Sequence, residues 1–99
     1  MSLKPWALVG LHASVRFTVL AEPSPGLLPR LLQPFARRDL TPDGFAAHRS
    51  GGRIRVDIAM NGMPAEMVHL VEGNLRQVVG VLSVTLTQEI TGSVRRQAA

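Results

Sequence analysis

With 99 residues, 45% of them hydrophobic, the chain has apolar material for one small folded domain and not for two, and this composition excludes a disordered polymer. It has no cysteine, which excludes disulfides and thiolate metal sites and fits a reducing compartment. The formal charge of +4 raises nucleic acid or anionic lipid as partners, yet the basic residues are scattered: the densest pairs, Arg37-Arg38 and Arg95-Arg96, read as a solvated face and a basic tail.

The first segment, residues 1–13, is mildly apolar but interrupted by Gly10 and His12. It is too short to span a membrane and lacks a signal-peptide layout, so the expectation is a soluble, cytoplasmic protein with no membrane partner. Trp6 and Leu8 call for packing on the domain or on a neighbouring subunit. Residues 14–21, SVRFTVLA, alternate: Val15, Phe17, Val19 and Ala21 face one way, Arg16, Thr18 and Leu20 the other, the period of a strand. The breaker cluster EPSPG follows. From Leu27 the period changes, and Leu28, Leu31, Leu32 and Phe35 predict one face of a helix. Pro25 and Pro29 suit a helix start, whereas Pro34 predicts a kink or an end.

After RDLTPDG, residues 45–49 predict a weak strand, marked as an edge by Pro42. SGG predicts a hairpin turn, and residues 53–61 the clearest strand, with Ile54, Val56, Ile58 and Met60 inward. Pro64 is expected to open a second helix with Glu66 in its first turn and with Met67, Leu70, Val71 and Leu75 as its apolar face. Residues 78–88 predict the last strand, and 89–99 a frayed tail. The domain proper is thus expected over 14–88. The order βαββαβ defines an α+β, ferredoxin-like sandwich: a four-stranded antiparallel sheet with two helices on one face. The other face would carry Arg16, Thr18, Leu20, Arg55, Asp57 and Ala59, with a cross-strand ion pair of Asp57 to Arg16 or Arg55.

Catalytic chemistry finds little here. No two of the seven acidic residues fall in an expected cleft, and no G-x-S-x-G nucleophile signature occurs. Phosphate-loop and dinucleotide motifs are absent, because Gly26 stands alone. His69 and Glu72 are an i, i+3 pair, too few ligands for a metal without thiolates. An RNA-recognition module of this topology stacks bases on aromatics of its central strands; residues 53–61 have none, and Phe17 has the parity of the helix side. The expectation is no enzyme, no cofactor, no metal and no nucleic acid. The turn EPSPGLL keeps two readings: a turn that Pro25 stiffens and Gly26 permits, or a helix start whose bare amides meet a carboxylate.

Strand, PGLL, helix, GFAAHRSGGRIRVDIAM, second helix and LRQVVGVLSVTLTQ together resemble an ACT domain, over roughly residues 14–88. The closest likeness is to the small regulatory subunit of acetohydroxyacid synthase (acetolactate synthase), whose pattern G-x-L-x-R-[VIL] is matched by Gly26, Leu28, Arg30 and Leu31; Phe35 and Arg38 match as well. The resemblance implies regulation: a homodimer, often joined edge to edge into one sheet, that binds a branched-chain amino acid at the dimer interface and modulates a large catalytic subunit. It assigns main-chain contacts to Gly26 and Leu27 and side-chain contacts to Ser24 and Thr41. Two departures stand out. The usual asparagine three residues before the glycine corresponds to Pro23, and a second one, at the entry to strand two, to Thr41. Losing one or two buried hydrogen bonds lowers affinity on the order of tenfold or more. The alternative is an effector-free interaction module that holds a partner through its open sheet face or through PWALVGLH.

Overall fold

The computed structural model describes residues 10–93, and side chains through Ile90. The elements are β1 (Leu11–Ala21), α1 (Leu27–Ala36), β2 (Gly44–Ser50), β3 (Arg53–Pro64), a 3-10 turn (Ala65–Met67), α2 (Val68–Arg76) and β4 (Val81–Ser93). They form one four-stranded sheet in the order β2-β3-β1-β4, antiparallel throughout, which is the expected ferredoxin-like arrangement.

Strand parity builds the core. Alternate residues of a strand face opposite sides, so Val15, Phe17, Val19 and Ala21 of β1 meet Ile54, Val56, Ile58 and Met60 of β3 beneath the helices, all buried. Phe17 and Phe35 of α1 pack edge to face, with ring centroids 5.7 Å apart. Gly51 and Gly52 turn the β2–β3 hairpin with φ of 57° and 79°, the left-handed pair that a two-residue turn requires.

The helices differ from expectation in phase. The buried face of α1 is Leu27, Leu31, Pro34 and Phe35; Leu28 is half-buried and Leu32 is 37% exposed. The buried face of α2 is Val68, Val71 and Leu75; Met67 is half-buried and Leu70 is 55% exposed. Pro34 neither ends nor replaces the last turn of α1. It sits buried inside the helix, and its carbonyl accepts from Arg38 Nη1 (3.0 Å). The stop comes at Asp39, φ 55°: Leu40 N–H donates to Phe35 C=O (2.9 Å) and Asp39 N–H to Ala36 C=O (3.1 Å), a Schellman closure that also brings half-buried Leu40 onto the core. Pro64 closes β3 rather than opening a helix, and Glu66 lies in the 3-10 turn.

Asp57 takes Arg55, one of its two expected partners, along its own strand rather than across to another. Arg55 Nε lies 3.3 Å from its carboxylate on the same strand, and the cross-strand partner is Thr18, whose hydroxyl donates to Asp57 (3.0 Å). Arg55 and Asp57 are two apart on one face, so the pair needs no second strand. β4 runs to Ser93, so residues 89–93 pair with the start of β1 instead of fraying. Trp6, Leu8 and residues 94–99 lie outside the described residues.

A polar clasp ties α2 to the sheet edge. Arg76 donates to Glu72 (2.8 Å) and to the Val84 carbonyl (2.9 Å), while His69 Nδ1 lies 3.3 Å from Glu72. The hydrogen bond from Arg76, and next to it His69, hold the Glu72 carboxyl below its ordinary value of 4.5, against desolvation that pushes the other way. A depressed carboxylate contributes stability that is complete above its unfolded value and is lost as pH falls through the folded one. Arg76 is half exposed, so screening keeps the contribution small. Glu72→Gln should therefore cost under about 1 kcal/mol at neutral pH, and the difference from wild type should vanish in acid below the folded value, in urea titrations across pH.

Candidate functional site

The chain leaves β1 at Ala21 and enters α1 through a type I turn. Leu27 N–H donates to Ser24 C=O (3.1 Å), with Pro25 at the second position and Gly26 at the third, φ −93° and ψ 1°. Those angles suit any residue, so the turn does not require glycine. A Cβ at Gly26 would instead lie 3.1 Å from the Arg30 guanidinium, which folds back over the turn. Helical bonding starts with Arg30 N–H to Gly26 C=O (3.3 Å). Leu27's amide is taken by Ser24 and Pro29 has none, so this helix start offers at most the amides of Gly26 and Leu28 to an anion.

Beside the turn lies an open groove of about 620 Å³. Pro23, Ser24 and Pro25 form one wall, Leu27, Leu28 and Pro29 another, and Ile54 with Arg49 closes the sheet side. The groove exists because the helix layer stops short of the edge strand. Ala47 and Arg49 have the helix-side parity, opposite Val56 and Ile54, yet both are exposed. Apolar walls with one arginine in the lining can take a small molecule with an apolar side chain and a carboxylate.

Of the residues expected at the site, Ser24 and Leu27 line this groove, and Gly26 lies in the turn between them. Leu27 does so from a side chain that is otherwise buried. Thr41 is not brought there. It precedes β2, and Gly44 to Arg49 spans the sheet, roughly 17 Å at about 3.3 Å per residue, before the groove is reached. Arg49 and Arg30 are the additions. The signal for Arg49 was present: a two-residue turn at Gly51-Gly52 sets Arg49 opposite Ile54, which itself stands opposite Ala21 at the mouth of the turn.

Among the described residues, no group of three histidine or acidic side chains could hold a metal, and no helix is long and apolar enough to cross a membrane. His69 and Glu72 serve the α2 clasp.

The antiparallel sheet in this order, with both helices on one side, defines the class as a ferredoxin-like α+β domain. A family model for the ACT-like domain matches residues 10–92, and the chain belongs to that family. Several solved structures share the fold, these three among them. The ACT domain from GTP pyrophosphokinase of Chlorobium tepidum superposes with a TM-score of 0.65 at 13% identity, over 77% of this chain and 99% of that one. The C-terminal domain of the MgtC protein from Mycobacterium tuberculosis gives 0.63 at 19%, over 81% and 89%. A homoserine dehydrogenase from Thiobacillus denitrificans gives 0.67 at 9%, over 87% of this chain but only 19% of that enzyme. No curated protein matches the sequence.

Proposed function

We propose that this ACT-like domain is a regulatory module that binds a branched-chain amino acid in the groove beside the α1 turn, as a homodimer, and signals to a catalytic partner. The observation that carries the reading is the groove itself: apolar walls, an arginine in its lining, and exposed residues along the edge strand β2. A second copy pairing with β2 would satisfy the strand's free backbone groups and wall the open side. Arg49 would take the ligand carboxylate, with the amides of Gly26 and Leu28 nearby, while Leu27 and Leu28 hold the apolar side chain. Ser24 supplies a hydroxyl. Ligand binding then favours one dimer arrangement, which the partner reads. The partner is a large subunit of the acetohydroxyacid synthase type, on the strength of the G-x-L-x-R-L register of Gly26, Leu28, Arg30 and Leu31.

A titration calorimetry and thermal-melting series with valine, leucine and isoleucine tests this. At a hundred times its dissociation constant a ligand adds about 2.7 kcal/mol, which raises the midpoint of a domain this size on the order of ten degrees. Leu28→Asp, at a half-buried position on the groove wall, should remove the response. Absence of any heat or shift with all amino acids would favour the effector-free interaction module, which has its own support: Pro23 gives the groove wall no amide donor.

A further inference from the structure

A second concavity lies on the opposite side of the sheet. Between Ala13 and Val15 the β1–β3 register slips: Ala13 stands opposite Met63 but Val15 opposite Met60, so Asn61 and Gly62 share the space beside Ser14. The bulge parts the two strands on the open face and leaves a cleft of about 350 Å³. That is at the lower end of ligand clefts, roughly 300–1,000 Å³. Its frame is braced rather than loose. Ser14 Oγ donates to the Asn61 carbonyl (2.8 Å), Asn61 N–H donates to the Asp43 carboxylate (2.7 Å), and Asp43 N–H donates to the Ala59 carbonyl (2.8 Å).

The charges around this cleft are unusually placed. Arg16 stands opposite Ala59 on one neighbour and Thr87 on the other, and Glu89 stands opposite Ser14. Arg16 and Glu89 are therefore diagonal neighbours on the same face, about 7–8 Å apart at the backbone and within reach of two long side chains. Yet among the described residues neither takes part in an ion pair within 4.0 Å, whereas Arg55 and Asp57 on the same face do. Cation and anion line one cleft, with small Ala59 between Arg16 and the edge strand and the Ser14 hydroxyl alongside.

We infer that the bulge cleft binds the head of a free zwitterion, an α-amino acid being the simplest: Arg16 takes the carboxylate by its two-pronged donors and Glu89 the ammonium group. This site is separate from the α1 groove, and stands or falls without it.

The test is amide NMR of the full chain, titrated with each of the twenty amino acids. Binding moves the Ser14, Ala59 and Thr87 resonances to saturation. The N-acetyl and the carboxamide derivative of the binding amino acid, each lacking one charge, fail to do so. Arg16→Gln and Glu89→Gln each weaken binding by at least about tenfold, and Arg16→Lys keeps part of it by retaining the cation. Saturable movement at these residues with Ser24 and Leu27 still would uphold the cleft and refute the groove. Movement at Ser24 and Leu27 alone would do the reverse. The cleft is equally overturned if no amino acid moves Ser14, Ala59 and Thr87, if the single-charge derivatives bind as well, or if those resonances move only with protein concentration, the mark of a second copy on this face.

Discussion

Phe35→Ala should cost about 3–5 kcal/mol, a loss in the top range for a single truncation among the described residues. Phe35 is fully buried, meets Phe17 edge to face, and contributes the carbonyl that closes the helix against Leu40. Removing the ring leaves a cavity where α1 grips the sheet through an aromatic pair. A domain this small has roughly 5–15 kcal/mol in total, so the variant should unfold at much lower denaturant or fail to fold at body temperature. Leu32→Ala, one turn away on the same helix but exposed, should cost under about 1 kcal/mol. Urea midpoints of the two variants check the claim. Equal losses would mean that α1 is rotated from the phase described above.

The second large effect concerns assembly. Ala47→Glu places a carboxylate on the helix-side surface of edge strand β2, where Ala47 is exposed in the single chain. Chain stability should change by no more than about 0.5 kcal/mol, as for ordinary surface substitutions. If two β2 strands pair edge to edge, each dimer brings two such charges into the seam, where the nearest cation, Arg49 two residues along the same face, is the one that the ligand carboxylate would otherwise take. Self-association should then weaken by roughly a hundredfold or more. Dilution series by light scattering give the dissociation constants of the two forms. The contrast between an unmoved melting curve and a lost dimer is what separates an interface residue from a core residue.

Strand phase was legible in the sequence because period two leaves no freedom: once Phe17 is inward, Val15, Val19 and Ala21 must be as well. Helix phase was not. Paired leucines at 27–28 and 31–32 fit two rotations of one helix that share Leu31 and Phe35, so the aromatic could not decide between them; the buried stripe is the one that adds Leu27 and Pro34 rather than Leu28 and Leu32. Leu70 misled α2 in the same way, beside the buried Val68 and Val71. Of the two outcomes expected at Pro34, the end did not follow: the ring is buried, the helix runs on to Ala36, and the stop comes at Asp39. At the candidate site, the turn and Ser24 could be read locally. Arg49 required the hairpin register, and the separation of Thr41 from the turn required the length of β2. The Arg16–Glu89 cleft depends on a bulge that no local pattern announces.

The most direct measurement of the central claim is sedimentation equilibrium with and without a branched-chain amino acid. The chain mass is 10.7 kDa. The account predicts a species of twice that mass whose dissociation constant falls when valine, leucine or isoleucine is added, because the α1 groove is completed across the β2 edge. A mass of one chain at every concentration, unchanged by any amino acid, would contradict it.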